Sequence, residues 1–168
     1  MVKGLEKKRV VIAVGGSGGH LMPAKALAND FLRESSQISL LFMGARLSRN
    51  AFFEASEDFK VQDVASSTLF QKNLWKTFKA FFTLSKGVWQ SLKYLRQFQP
   101  ECVVGFGSFH SFPVLLAARI KRIPIAIFES NVLPGRVNRL CSSWAKISAV
   151  LPSVNQSFLK GSKVTVKL

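Results

Sequence analysis

The join between Arg9–Val14 (RVVIAV) and Gly15–His20 (GGSGGH) constrains this chain more than any other feature: an apolar, β-branched run stops at four glycines within five residues. A run without polar alternation reads as a strand buried on both faces, the habit of parallel sheets. From Pro23 onward Ala24, Leu27, Ala28, Phe31 and Leu32 recur at helical spacing, with proline at the first expected position. Strand, glycine loop and helix in that order turn backbone N–H groups and the positive end of a helix toward an anion, for which phosphate or diphosphate is the natural guest. The bland alternative is a tight turn that needs glycine for its geometry alone. The loop is not a P-loop, because no GK[ST] follows. It also fails as a dinucleotide fingerprint: the third glycine would fall on Leu21, and the second strand ends in Met43-Gly44-Ala45-Arg46 without an acidic ribose ligand.

The same alternation continues along the chain. Strands are expected at 38–43, 61–65, 101–105, 124–128, 147–151 and 163–168. Helices are expected over 68–99 with a break near Ser85–Gly87, over 113–121, and after Leu133 with a face of Val137, Leu140, Cys141, Trp144 and Ala145. Right-handed βαβ units and a Rossmann-like parallel sheet flanked by helices follow, an α/β class. A length of 168 residues suits one domain, 1–168. No apolar run reaches the roughly 20 residues of a spanning helix, and the N-terminus lacks the apolar core of a secretory signal. Cys102 and Cys141 lie 39 positions apart with no CxxC, so they read as reduced thiols of a cytoplasmic protein.

Charge is distributed unevenly. Residues up to Asp63 carry nine basic and seven acidic side chains, and the remainder carries fifteen basic against only Glu101 and Glu129. Such a field attracts phosphate groups, whether of nucleic acid, an anionic membrane or a diphosphate substrate. Between Lys72 and Arg96 there is no acid. Lys72, Lys76, Lys79 and Lys86 alternate with aromatic residues, and if positions 74, 78, 81, 88, 92 and 95 face the core, Trp75, Phe82 and Trp89 stand at seven-residue intervals beside the lysines. Aromatics among cations suit an anionic lipid surface. The competing reading is a wide core stripe with a solvated basic edge. No RNP1, KH or zinc spacing supports nucleic-acid binding.

Open parallel sheets bind ligands at the carboxyl ends of their strands. There His20 is a candidate general base, or a histidine that merely caps the turn. His110, in the second glycine loop, suits structure or substrate contact better than catalysis. Glu129 closes a strand and could orient a hydroxyl or the loop itself, and Asn131 is a candidate cap or ligand contact. No DxD, HExxH or paired carboxylates occur, so neither a metal site nor a cofactor is expected.

Three segments, VVIAVGGSGGHLMPAKALA, PECVVGFGSFHSFPVLLAARIKRIPIAIFESNVLPGRVNR and WAKISAVLPS, together resemble the MurG family of glycosyltransferases in order and spacing. The resemblance implies the N-terminal half of a GT-B fold, with a C-terminal donor-binding domain beyond the present chain. It implies transfer of GlcNAc from UDP-GlcNAc to undecaprenyl-diphosphate-linked MurNAc-pentapeptide (lipid I), with inversion and without bound metal, at the cytoplasmic face of the bacterial membrane by a peripheral protein. It further implies catalytic roles for His20 and Glu129, donor or diphosphate contacts at Ser17, Gly18, Gly19 and Asn131, and an acceptor phosphate loop at Gly105, Gly107 and Ser111. The basic aromatic segment matches the family's membrane patch. Phe128 and Ser130 stand where His and Gln are usual, and Ser108 and Phe112 where glycine is usual. A docking subunit without catalysis and a basic nucleic-acid-binding domain are the alternative readings.

Overall fold

The computed structural model describes residues 7–15, 18–35, 37–49, 59–68 and 74–166. Among them seven strands form one sheet: β1 (Lys8–Ala13), β2 (Ile38–Gly44), β3 (Phe59–Asp63), β4 (Cys102–Gly105), β5 (Ile125–Glu129), β6 (Ile147–Val150) and β7 (Lys163–Thr165). Their order is β3-β2-β1-β4-β5-β6-β7, and every pairing is parallel. The α/β expectation therefore holds, and each expected strand is present within one or two residues except the last, which ends at Thr165 rather than 168, the final two positions lying outside the described residues. Ala13 pairs with Met43 on one side and Gly105 on the other, so β1, β2 and β4 end level. Between β1 and β4 the order reverses, the point at which open sheets of this kind place a ligand crevice.

Among the described residues four α-helices cover the sheet: α1 (Gly18–Glu34), α2 (Leu74–Phe98), α3 (Phe112–Ile120) and α4 (Arg136–Cys141). On one face Leu21, Ala24 and Ala28 of α1 pack on Val10, Ile12, Leu40 and Phe42. On the other, Leu95 of α2, Val114 and Leu115 of α3 and Val137 and Cys141 of α4 pack on Val11, Val103, Ile125 and Ile127. The burial of alternate strand residues on opposite faces explains why these strands are apolar throughout.

Three helical expectations are corrected. First, α1 begins at Gly18 rather than Pro23. A first turn has N–H groups that need no intrahelical partner, so Gly18 and Gly19 are tolerated there. Pro23 instead lies within the helix and cannot donate to the Gly19 carbonyl four residues back. Second, α2 runs unbroken through Ser85–Gly87. Gly87 is required by packing: a Cβ there would stand 1.8 Å from the Ala65 carbonyl oxygen. Third, α4 ends at Cys141, and the chain turns through Trp144 N–H to Cys141 carbonyl and Ala145 N–H to the same oxygen. Val137 and Cys141 are buried as expected, Trp144 and Ala145 are half-buried, and Leu140 is exposed.

Candidate active site

At the β1–β4 crossing, Phe106 N–H donates to the Ala13 carbonyl at 2.9 Å and stitches the two strand ends together. Gly107 has φ of +81°, and a Cβ there would lie 3.2 Å from Asn138 Nδ2 and 3.4 Å from His20 Cε1. Glycine at 107 thus satisfies both the left-handed backbone and the close approach of His20 and Asn138. Of the expected site residues, this crossing brings together His20, Gly105 and Gly107. A Cβ at Gly18 or Gly19 would meet nothing within 4 Å. Packing therefore does not explain those two glycines, and the first turn of α1 stands open. Ser17 lies outside the described residues, as does Lys72.

Glu129 is 2% exposed and its carboxylate is engaged by the loop that follows it and by α4. Oε1 accepts from Asn131 N–H at 2.9 Å and Asn131 Nδ2 at 2.8 Å, and Oε2 accepts from Gly135 N–H at 2.8 Å and Asn138 Nδ2 at 3.1 Å. Asn138, buried on α4, also donates to the Phe128 carbonyl at 2.9 Å. Its Oδ1 is buried without a hydrogen-bond partner. Sequence reasoning missed Asn138, whose only signal was its place in PGRVNR, nine positions after Glu129.

Ser111 turns inward. Its hydroxyl lies 2.6 Å from the Gly107 carbonyl and 2.9 Å from that of Ser108, both acceptors, so it braces the second loop from beneath. Ser108 has φ of +71°, a left-handed backbone that favours glycine. His110 Nδ1 is buried without a partner. Burial, and secondarily the Arg46 charge, holds the His110 imidazole below its ordinary range. Burial pushes the Cys141 thiol up to about 12, and raises that of Cys102 together with Glu101. Both thiols are free. Among the described residues no three His, Cys, Asp or Glu side chains gather closely enough to hold a metal ion.

The second surface lies on α2. Trp75, Phe82 and Trp89 are exposed beside Lys76, Lys79 and Lys86, and so are Leu74, Phe78 and Phe81. The expectation that positions 74, 78 and 81 face the core is overturned, since Ala80, Leu84, Gly87, Ser91 and Leu95 take that role. Position 95 is buried as expected, and 88 and 92 pack half-buried against the core. Trp75, Phe78, Phe82 and Phe81 form successive ring pairs with centroids 4.8–6.3 Å apart. Among the described residues no helix is long and apolar enough to cross a membrane.

A doubly wound parallel sheet with a glycine crevice at its crossing point defines a Rossmann-like domain of the kind that forms half of a GT-B glycosyltransferase. The chain belongs to the glycosyltransferase family 28 N-terminal domain, whose profile matches residues 10–150. It is 42% identical over 159 residues to a protein of Protochlamydia amoebophila named UDP-N-acetylglucosamine--N-acetylmuramyl-(pentapeptide) pyrophosphoryl-undecaprenol N-acetylglucosamine transferase, with 95% of this chain and 42% of that protein covered. A Chlamydia muridarum protein of the same name is 40% identical, over 87% of this chain and 40% of its own length. The crystal structure of MurG from Acinetobacter baumannii superposes with a TM-score of 0.73 at 23% identity, over 95% of this chain and 45% of that one. The expected resemblance is thereby borne out. The chain spans about two fifths of the length of the curated relatives it matches.

Proposed function

We propose that this chain is the acceptor- and membrane-binding domain of a transferase that moves GlcNAc from UDP-GlcNAc to lipid I, and that catalysis requires the donor-binding domain as well. The observation that carries the proposal is the meeting of His20 with the Gly107 loop below the open first turn of α1, in a chain whose relatives are named for that transfer. In this reading the acceptor 4-hydroxyl attacks the anomeric carbon as His20 takes its proton. The bond to the UDP oxygen breaks with inversion, and the diphosphate leaves with the electron pair. Gly18 and Gly19, in the open first turn of α1, present backbone N–H groups to the developing charge.

Gly105 and Gly107 shape an acceptor phosphate loop that Ser111 holds from beneath. Glu129 acts by positioning: its four hydrogen bonds fix Asn131, a donor contact, and the start of α4. The α2 face rests on the anionic cytoplasmic surface of the plasma membrane, with lysines at phosphate level and aromatic rings at the interface.

Co-sedimentation with anionic vesicles at physiological salt, with and without lipid I and with RNA as competitor, tests the reading. Binding increased by lipid I and indifferent to RNA is expected, whereas lipid-I-independent binding abolished by RNA would overturn it. In a transferase that carries this domain, His20→Ala is expected to lower turnover at least about 10²-fold. A loss under tenfold would remove His20 from the base role.

A further inference from the structure

Beside the α2 face lies a crevice of about 140 Å³ lined by buried Leu84 and Val137, by Phe109, Phe112 and Leu140, and by two polar residues, Ser67 and Arg136. Leu140 is half-exposed. A cavity of roughly 150 Å³ lined by Leu, Ile and Phe accepts benzene, so this crevice has room for the five carbons of one isoprene unit. Its placement joins two surfaces already described. Leu84 follows exposed Phe81 by one turn of α2, so the crevice continues the ladder of rings from Trp75 to Phe82. Phe109 is two residues beyond Gly107, and Arg136 follows Gly135, whose N–H is held by Glu129.

We propose that this crevice holds the isoprene unit next to the diphosphate of a polyprenyl-diphosphate-linked acceptor. The inference rests on the acceptor reading above and names where the lipid leaves the membrane surface. The occupant is argued from three properties. The lining is almost wholly apolar, which suits hydrocarbon. The lining includes Arg136, an exposed residue whose planar guanidinium has the geometry to match a phosphate oxygen pair. Its lining also joins Leu84 of α2, the helix that carries the exposed rings, to Phe109, two residues beyond the Gly107 that approaches His20. An apolar unit seated there anchors the diphosphate near the second glycine loop and lets the remaining isoprenes lie along the exposed rings.

The test is calorimetric titration of the 168-residue chain with farnesyl diphosphate, kept below micelle formation, and with inorganic diphosphate at matched ionic strength. Farnesyl diphosphate is expected to bind at least about tenfold more tightly, since burying even a few methylene-sized groups supplies that factor. Leu140→Trp fills the crevice from its half-exposed wall and is expected to bring the two ligands within about threefold, with circular dichroism unchanged. Leu140→Met keeps the volume and is expected to keep the preference. Equal affinities in the parent chain, binding of neither ligand, or a preference that survives Leu140→Trp in a folded protein would each overturn the proposal. The vesicle assay separates this outcome from the fate of the acceptor reading. Lipid-I-enhanced sedimentation without isoprenoid preference sinks the crevice alone, and an isoprenoid preference without lipid-I enhancement sinks the acceptor reading and leaves the crevice only as a polyprenyl-diphosphate site.

Discussion

Glu129 shows how one buried side chain can hold a loop and the start of a helix together. A carboxylate taken out of water needs its lone pairs satisfied, and two backbone and two side-chain N–H groups of 131–138 supply that. Glu129→Gln replaces an acceptor by an NH₂ group that must face at least one of those donors. A buried mismatch of this kind costs about 1–3 kcal/mol, so the melting temperature is expected to fall by roughly 4–8 °C for a 2 kcal/mol loss in a domain of this size. Thermal unfolding followed by circular dichroism checks it, and a melting point within a degree of the parent would show the network to be dispensable. His110 gives a second residue-level expectation. Its imidazole is held below the ordinary range chiefly by burial, so the unfolded chain binds the proton more readily than the folded one. Stability from this group is therefore intact above pH 6.5 and is lost as pH falls through the unfolded value. His110→Val is expected to flatten the decline in stability between pH 7 and pH 5 relative to the parent, as read from denaturant midpoints at each pH.

At the level of elements, Gly87 sets two tendencies against each other. Alanine is the better helix former by about 1 kcal/mol, but a Cβ at 87 would stand 1.8 Å from a backbone oxygen of Ala65. Overpacking against backbone costs about 1–3 kcal/mol or more, so Gly87→Ala is expected to destabilise despite its propensity, with a lower urea midpoint. A rise in the midpoint would show that α2 shifts freely over the Ala65 segment. The same residue marks a limit of sequence reading, since glycine in a helical pattern signals either a break or a close approach. Strands β1, β2, β4 and β5 were legible because burial on both faces leaves continuous apolar runs. The helix α2 was legible in extent more than in orientation. Helical period identifies an apolar stripe, and it does not say whether Leu74, Phe78 and Phe81 face a core or another apolar phase. The glycine crevice and His20 were legible from strand and loop chemistry, but Asn138 was not, because a buried asparagine on a six-residue helix has no periodic signature.

For the molecule as a whole, those exposed aromatics and the excess of positive charge after Asp63 lie in the same part of the chain, and their separate contributions can be measured. Trp75 is 75% and Trp89 66% exposed, and Phe82 stands between them along α2. Residues this exposed contribute within about 0.5 kcal/mol to folding when replaced, whereas a core stripe would lose several. Trp75→Ser, Phe82→Ser and Trp89→Ser together are therefore expected to leave the melting temperature nearly unchanged while weakening sedimentation with anionic vesicles at both low and high salt. Replacing Lys76, Lys79 and Lys86 by Gln removes three charges worth about 1 kcal/mol each near an anionic surface. The expected loss is on the order of 10²-fold at low salt, shrinking as salt rises because screening has already weakened those charges in the parent. Partition coefficients at two salt concentrations distinguish the two triple variants. An aromatic variant that unfolds readily would return those rings to the core, and a lysine variant with the parent's salt slope would assign the electrostatic attraction to another face.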